Sequence, residues 1–159
     1  MDPKSISFGA LVGALAWEVL KQVFSHFAKR SQDSQEAKRK MLRQDIEDLV
    51  KLICDILETS INYYSTDFAS EKARDLSRQI KAKSKTAGIK LTAVNSQLSV
   101  AGKKTVEIRL WTAFKLATTQ HLDVTRKEVW KDDDPRLNEV YKAVNGLHFS
   151  LNKARYENT

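Results

Sequence analysis

The middle of the chain holds four basic residues with the spacing of a phosphate-binding track. They are four, three and four residues apart, so on one helix they fall within about 60° of each other: Arg74, Arg78, Lys81 and Lys85. Such a row of cations binds phosphates, either of nucleic acid or of anionic lipid headgroups. The alternative is a solvated helix face, partly neutralised by acids on a neighbouring helix: Asp45, Asp48 and Asp55. Because no aromatic residues interleave these charges, nucleic acid is the less favoured ligand.

Other residue types that carry chemistry lack the arrangement that catalysis or metal binding needs. Asp132 to Asp134 are consecutive acids, and Asp134 with Pro135 predicts the cap and first position of a helix. The three histidines show no metal-ligand spacing: His26, His121 and His148. Cys54 lies in an apolar zone, which predicts a small core residue with an unreactive thiol.

Motifs of known chemistry are also missing from the sequence. We find no Gly-rich phosphate loop, no GxSxG, no HExxH and no kinase-like set of motifs. We therefore expect no catalytic residue, no metal site, no cofactor and no small-molecule substrate. The sequence predicts a protein that is not an enzyme.

Helical periodicity accounts for nearly the whole chain beyond residue 34. Apolar residues recur at three- and four-residue steps from about 34 to 64, 70 to 100, 105 to 120 and 135 to 151. The predicted stripes include Leu42, Ile46, Leu49 and Ile53 in the first of these stretches and Tyr141 in the last, and Phe149 is predicted to pack in the core or between helices. Residues 31–36 are either a polar break or a continuation of a preceding helix. Gly88 is a weak point of the third helix, which leaves two alternatives open there: one helix, or a helix that is kinked or split. We predict an all-α fold: an N-terminal apolar and amphipathic helix, then an antiparallel up-and-down bundle of three to four helices.

The first helix is the stretch Ile6–Phe27, which decides where the protein resides. As a helix it is about 33 Å long, close to the thickness of a bilayer core. Its start is apolar all round, whereas Glu18, Lys21 and Gln22 share one side of its second half. Three interpretations remain: a membrane span, an amphipathic helix lying in the membrane interface, or the buried first helix of a soluble bundle.

Flanking charges favour the membrane. One lysine precedes the stretch, whereas six basic residues follow it closely: Lys29, Arg30, Lys38, Arg39, Lys40 and Arg43. This asymmetry predicts a cytoplasmic C-terminal part. We therefore divide the chain into a transmembrane anchor, residues 1–30, and a helical bundle domain, residues 31–159.

Small residues inside the first helix suggest self-association. Gly9 and Gly13 form a GxxxG motif, which lets two helices approach closely in lipid. Trp17 fits a membrane-interface aromatic or a contact within a helix dimer, and Glu18 and Lys21 are spaced to pair on one face. The predicted anchor and packing residues are therefore Gly9, Gly13, Trp17, Glu18 and Lys21.

The chain resembles a class of short bacterial proteins with one N-terminal membrane helix and a small cytoplasmic helical domain. The likeness rests on KRSQDSQEAKRK, on EDLVKLICDILETSINYY, and on the ending that runs from LWTAFKLATTQHLDV to WKDDDPRLNEVYKAVNGLHFSLNKAR. It implies a single-pass protein of the bacterial inner membrane and carries over no catalytic residue. The Gly/Ala-rich start is also similar, more weakly, to pore-forming helical bundles of immune systems.

Three functions follow as hypotheses. The first is a membrane-anchored helical module, without catalysis, that binds an unidentified protein partner or itself. The second is a membrane-disrupting effector whose N-terminal helix oligomerises in the bilayer. The third is a soluble, cytoplasmic basic bundle that binds nucleic acid through the track on the third helix.

Overall fold

A computed structural model describes residues 3–122, 129–131 and 134–157, and for residues 3–20, 23 and 27 it describes the backbone alone. The described residues form four helices and no strand: α1 (Pro3–Tyr64), α2 (Glu71–Val100), α3 (Ile108–Thr119) and α4 (Pro135–Tyr156). The all-helical prediction is therefore confirmed for this part of the chain. Two compact units divide the chain, Met1–Lys40 and Met41–Thr159, and the division predicted after residue 30 stays a prediction.

Helix α1 runs without a break through residues 31–36. Residues 28–40 contain neither glycine nor proline and consist largely of Ala, Lys, Arg, Gln and Glu, which have high helix propensity or favour solvated helices. Lys40 Nζ lies 2.9 Å from Glu36 Oε1, one turn earlier. The hydrogen bond from Lys40, together with its charge, holds the pKa of the Glu36 carboxyl below its ordinary value. Of the two alternatives for residues 31–36, continuation of the helix is the one observed.

Helix α2 has a cap at each end. The Ser70 hydroxyl accepts a hydrogen bond from the Ala73 amide at 3.1 Å, which satisfies one of the free amides of the first turn. At the other end Gly102 adopts a φ of +67°, and the Lys103 amide donates to the Leu98 carbonyl at 2.8 Å. This is the left-handed termination that glycine permits at low cost.

Gly88 does not split α2 into two helices. It lies inside an unbroken helix, where its missing side chain makes room for Trp111. A Cβ built at residue 88 would come 3.2 Å from Trp111 Cζ2. The close approach of an indole ring therefore explains a glycine at this position.

Helix α3 begins at Ile108, three residues later than the sequence predicts. The reason is a side-chain clamp on the preceding segment. The amide of Asn95 donates to the Val106 carbonyl at 3.0 Å and accepts from the Val106 amide at 2.8 Å. Because both backbone groups of Val106 are bound by Asn95, residue 106 stays outside the helix, and its side chain is buried in the core.

The core of Met41–Thr159 lies between the apolar stripes of the four helices. Its fully buried members include Ile46, Leu49, Ile53, Ile56, Ile80, Leu91, Leu98, Phe114, Leu147 and Leu151. Two polar contacts at the edge of the core show the relative direction of α1 and α2. Asp55 contacts Lys83 at 2.8 Å, and Asp45 contacts Gln97 at 2.8 Å. Earlier residues of α1 therefore lie opposite later residues of α2.

Three residues predicted to pack inside the bundle lie at its surface. Cys54 is exposed, Phe149 is 73 % exposed and Tyr141 is 41 % exposed. Each is next to a buried stripe and belongs to the outer side of its helix. The prediction of a core Cys54 is therefore wrong, and its thiol faces solvent.

The end of α1 is joined to the start of α4 by an aromatic stack. The rings of Tyr64 and Trp130 are stacked with centroids 3.9 Å apart and an angle of 9° between their planes. The Trp130 amide also donates to the Tyr64 carbonyl at 3.0 Å. On α4, Arg136 places its guanidinium carbon 4.3 Å from the centroid of the Trp130 ring.

Asp134 caps α4 as the sequence predicts. It accepts a hydrogen bond from the Arg136 amide at 2.9 Å, with Pro135 at the first helical position. The Arg136 side chain donates to the same carboxylate. The hydrogen bond from the Arg136 side chain is the largest effect on the carboxyl group and, together with the bond from the Arg136 amide, lowers the pKa of Asp134 to about 2. Partial loss of hydration acts in the opposite direction but is the smaller effect.

Candidate interaction surfaces

The N-terminal helical segment presents its described side chains to solvent. Every side chain described between residues 21 and 41 is exposed, and among them Phe24 is 71 % exposed. A helix that carries large apolar residues on one side normally buries them against another element. The described part of this segment shows no such burial.

Of the predicted anchor residues, Lys21 alone has a described side chain, and it is exposed. The structure describes only the backbone at the other four: Gly9, Gly13, Trp17 and Glu18. Their roles in anchoring and packing therefore stay predictions. Within the described part of the chain, no helix combines the length and the apolar character that crossing a membrane requires. The predicted transmembrane anchor is therefore not supported. Glu18 and Lys21, in the second half of Ile6–Phe27, are costly to bury in the core of a bilayer.

The predicted basic track forms one exposed face of α2, which we call the basic face: Arg74, Arg78, Lys81 and Lys85. Arg78 is 3.3 Å from Asp75, one turn before it on α2. Within the described residues, the side chains of Arg74 and Lys85 make no hydrogen bond and no ion pair. An exposed pair such as Arg78–Asp75 is weak in water and leaves most of the positive field in place.

The acids of α1 do not neutralise the basic face in the way the sequence suggested. Asp45 accepts from Gln97 at 2.8 Å, and Asp48 accepts from Gln44 at 3.0 Å. Asp55 binds Lys83 at 2.8 Å. The prediction that these three aspartates partly neutralise the basic face is therefore wrong. Helix α1 packs against another side of α2, the one that carries Lys83 and Gln97.

An open apolar groove separates the outer sides of α3 and α4. Its volume is about 440 Å³, and its floor is made of small or aliphatic residues: Leu110, Ala113, Ala117, Ala143 and Gly146. Leu116 also lines the groove and is 58 % exposed. This groove was not predicted from the sequence. Its signal there is a set of small residues at helical spacing on two successive helices, since small side chains leave space between the helices: Ala113, Ala117, Ala143 and Gly146.

The residues considered for catalysis or metal binding are not brought together. His148 lies 3.2 Å from Asn152, one turn along α4. His121 has its ring edge-to-face with Trp130, at 5.1 Å between centroids, and His26 is exposed. Within the part of the chain that the structure describes, no group of three metal-binding side chains forms. Asp132 and Asp133 lie outside that part.

Comparisons with protein-family models, with curated proteins and with solved structures find no match to this chain.

Proposed function

We propose that this protein is a helical interaction module without catalytic activity that binds an anionic membrane surface peripherally. In this proposal the stretch Ile6–Phe27 lies in the plane of the membrane interface, and the up-and-down bundle of residues 41–159 is held there to bind a further partner. The observation that carries the proposal is the exposure of every described side chain between residues 21 and 41, with Phe24 71 % exposed.

The amphipathic character of the stretch supports an interfacial location. On a helical wheel Leu20, Val23, Phe24 and Phe27 share one side, and Glu18, Lys21, Gln22 and Ser25 share the other. Helices with bulky apolar residues on one side and charged residues on the other insert shallowly between headgroups and acyl chains. In this geometry Glu18 and Lys21, which would be costly to bury in a bilayer core, are solvated by water and lipid headgroups.

Charge specifies the kind of membrane. Residues 21–43 contain seven basic and two acidic residues. A basic cluster beside an amphipathic helix is attracted to anionic lipids, by about 1 kcal/mol for each cation close to the surface. The same attraction does not act on a neutral bilayer.

Vesicle flotation of the full-length protein tests the proposal. We expect binding to vesicles of phosphatidylcholine with phosphatidylglycerol, and weaker binding to phosphatidylcholine alone. Phe24→Asp should reduce binding by roughly tenfold or more, because burial of a phenylalanine side chain contributes about 1.5–3 kcal/mol.

Ser25→Asp is the matched control, since it adds the same charge on the polar side, where the Ser25 hydroxyl donates to the Gln22 carbonyl at 2.8 Å. This variant should bind nearly as well as the wild type. Absence of binding to both kinds of vesicle, or equal losses in the two variants, would contradict an interfacial helix.

A further inference from the structure

The longest stretch of this chain without an acidic residue includes most of α2. No aspartate or glutamate occurs between Asp75 and Glu107, whereas seven basic residues lie in that interval: Arg78, Lys81, Lys83, Lys85, Lys90, Lys103 and Lys104. The fold assigns them to different sides. Lys83 turns toward α1, where it contacts Asp55 at 2.8 Å and the Thr59 hydroxyl at 2.9 Å, while the basic face is directed to solvent.

The basic face is a straight row on a convex surface. From Arg74 to Lys85 the helix rises about 16 Å, and the four cations follow one side of it. The exposed residues Ile89, Thr92 and Ser96 continue that side toward the C-terminus. Ile89 follows Lys85 by four residues and is 65 % exposed, so an apolar side chain stands next to the row of charges.

This combination suits a lipid surface better than a nucleic acid. A flat array of phosphate headgroups accepts a row of cations on a convex helix, and an isoleucine beside them can enter the region beneath the headgroups. Single-stranded nucleic acid is bound in grooves lined with aromatic rings on which bases stack. Trp111, an aromatic residue that contacts α2, is half-buried and packed against Gly88.

We infer that the basic face of α2, together with Ile89, is a second membrane contact that binds the phosphate groups of anionic lipids. The inference rests on the proposed function and assigns the bundle its own lipid-facing side. In this arrangement the N-terminal helix supplies apolar insertion, and α2 supplies electrostatic attraction and fixes which side of the bundle faces the membrane.

Neutral substitution of the basic face tests the inference in the full-length protein. The variant carries Arg74→Gln, Arg78→Gln, Lys81→Gln and Lys85→Gln, all at exposed positions and with good helix propensity. The control removes four exposed cations elsewhere on the bundle: Lys51→Gln, Lys104→Gln, Lys115→Gln and Lys142→Gln. Circular dichroism establishes that both variants keep the helical content of the wild type.

We expect the basic-face variant to bind anionic vesicles at least about tenfold more weakly at low salt, since each cation near such a surface strengthens binding by about fivefold. Its binding to neutral vesicles should not change. The control should stay within about threefold of the wild type, because charges far from the surface are screened. Equal losses in the two variants, or no loss in the basic-face variant, would overturn the inference.

A label at Ile89 reports orientation independently of affinity. In a Cys54→Ser background, Ile89→Cys carries an environment-sensitive fluorophore, and Phe149→Cys carries the same fluorophore on α4 as a control. Addition of anionic vesicles should shift the emission of the label at residue 89 to shorter wavelength and leave that at residue 149 unchanged. A shift at both positions, or at neither, would contradict a defined lipid-facing side.

The outcomes separate this inference from the proposed function. If Phe24→Asp abolishes vesicle binding and the basic-face variant binds normally, the interfacial helix stands and the inference fails. If the wild type binds no vesicles, the proposed function fails. If the basic-face variant keeps vesicle binding but loses salt-dependent binding to a single-stranded oligonucleotide, the face binds nucleic acid and the inference is overturned.

Discussion

The side-chain amide of Asn95 forms two hydrogen bonds with the backbone of Val106, one to its carbonyl and one from its amide. This pair keeps residue 106 outside the helix, and it places the Val106 side chain in the core, where 2 % of its surface is exposed. A single polar residue on α2 thus determines where α3 begins.

Asn95→Ala should therefore destabilise the bundle. Loss of both hydrogen bonds leaves the half-buried amide and carbonyl of Val106 without partners, at a cost of about 1–3 kcal/mol in the free energy of unfolding. Urea unfolding followed by circular dichroism measures the change. Asn145→Ala, at an exposed position on α4, is the control and should change the stability by less than about 0.5 kcal/mol. Equal effects at the two sites would show that the clamp contributes nothing.

Ser84→Ala should stabilise the protein. The Ser84 side chain is buried, and within the described residues its hydroxyl has no hydrogen-bond partner. The substitution removes an unsatisfied polar group and raises helix propensity, so we expect a gain of about 1 kcal/mol. Ser60→Ala is the matched comparison, because the buried Ser60 hydroxyl donates to the Ile56 carbonyl at 2.7 Å. Ser60→Ala should give a smaller gain or none, and the reverse order would mean that Ser84 does find a partner.

The Asp134 cap predicts a specific loss of stability in acid. The pKa of Asp134 is about 2 in the folded protein, below its ordinary value of 3.8, so the folded state binds this proton less readily than the unfolded state does. Its contribution to stability is therefore complete above about pH 4 and decreases as the pH falls toward 2. Asp134→Ser keeps a capping oxygen but cannot titrate. The stability difference between wild type and Asp134→Ser should shrink across that pH window, and a difference that stays constant would contradict the assigned pKa.

Cys54 should react as an exposed thiol in the native protein. It is the single cysteine of the chain and lies at the surface of α1. A thiol reagent such as dithiobisnitrobenzoate should therefore modify one thiol per chain without denaturant, at a rate close to that in urea. Cys54→Ser supplies the blank. Protection until the protein unfolds would place the thiol in the core, as the sequence pattern had predicted.

Periodicity along the sequence is enough to predict most of the core. Leu42, Ile46, Leu49 and Ile53 were predicted as the stripe of α1, and all four are buried. The Asp134–Pro135 cap was predicted correctly as well, because capping depends on residues adjacent in the chain. These features are local, and the repeat of an α-helix fixes which residues share a side.

Features that depend on how the helices pack together were not predictable in the same way. Periodicity gives the centre of a buried stripe but not its width, so Cys54 and Phe149 were placed inside when they lie at its edge. The partners of Asp45 and Asp55 depend on the rotation of α1 against α2, which no single helix encodes. The Asn95 clamp joins residues on either side of a turn, and its signal in the sequence, a polar residue near the buried side of α2, does not name Val106 as its partner.

Two glycines inside helices should respond differently to alanine, because the space around them differs. A Cβ at residue 146 would lie 3.6 Å from Leu110 Cδ2, an ordinary contact, whereas a Cβ at residue 88 would lie 3.2 Å from Trp111 Cζ2. Gly146→Ala should therefore gain about 1 kcal/mol of stability from helix propensity. Gly88→Ala should gain less or lose stability, because the indole ring must move. In a Trp111→Leu background the crowding is relieved, and Gly88→Ala should recover most of the gain. Thermal unfolding of the four variants measures this coupling, and additive effects of Gly88→Ala and Trp111→Leu would show that the ring does not rest on that glycine.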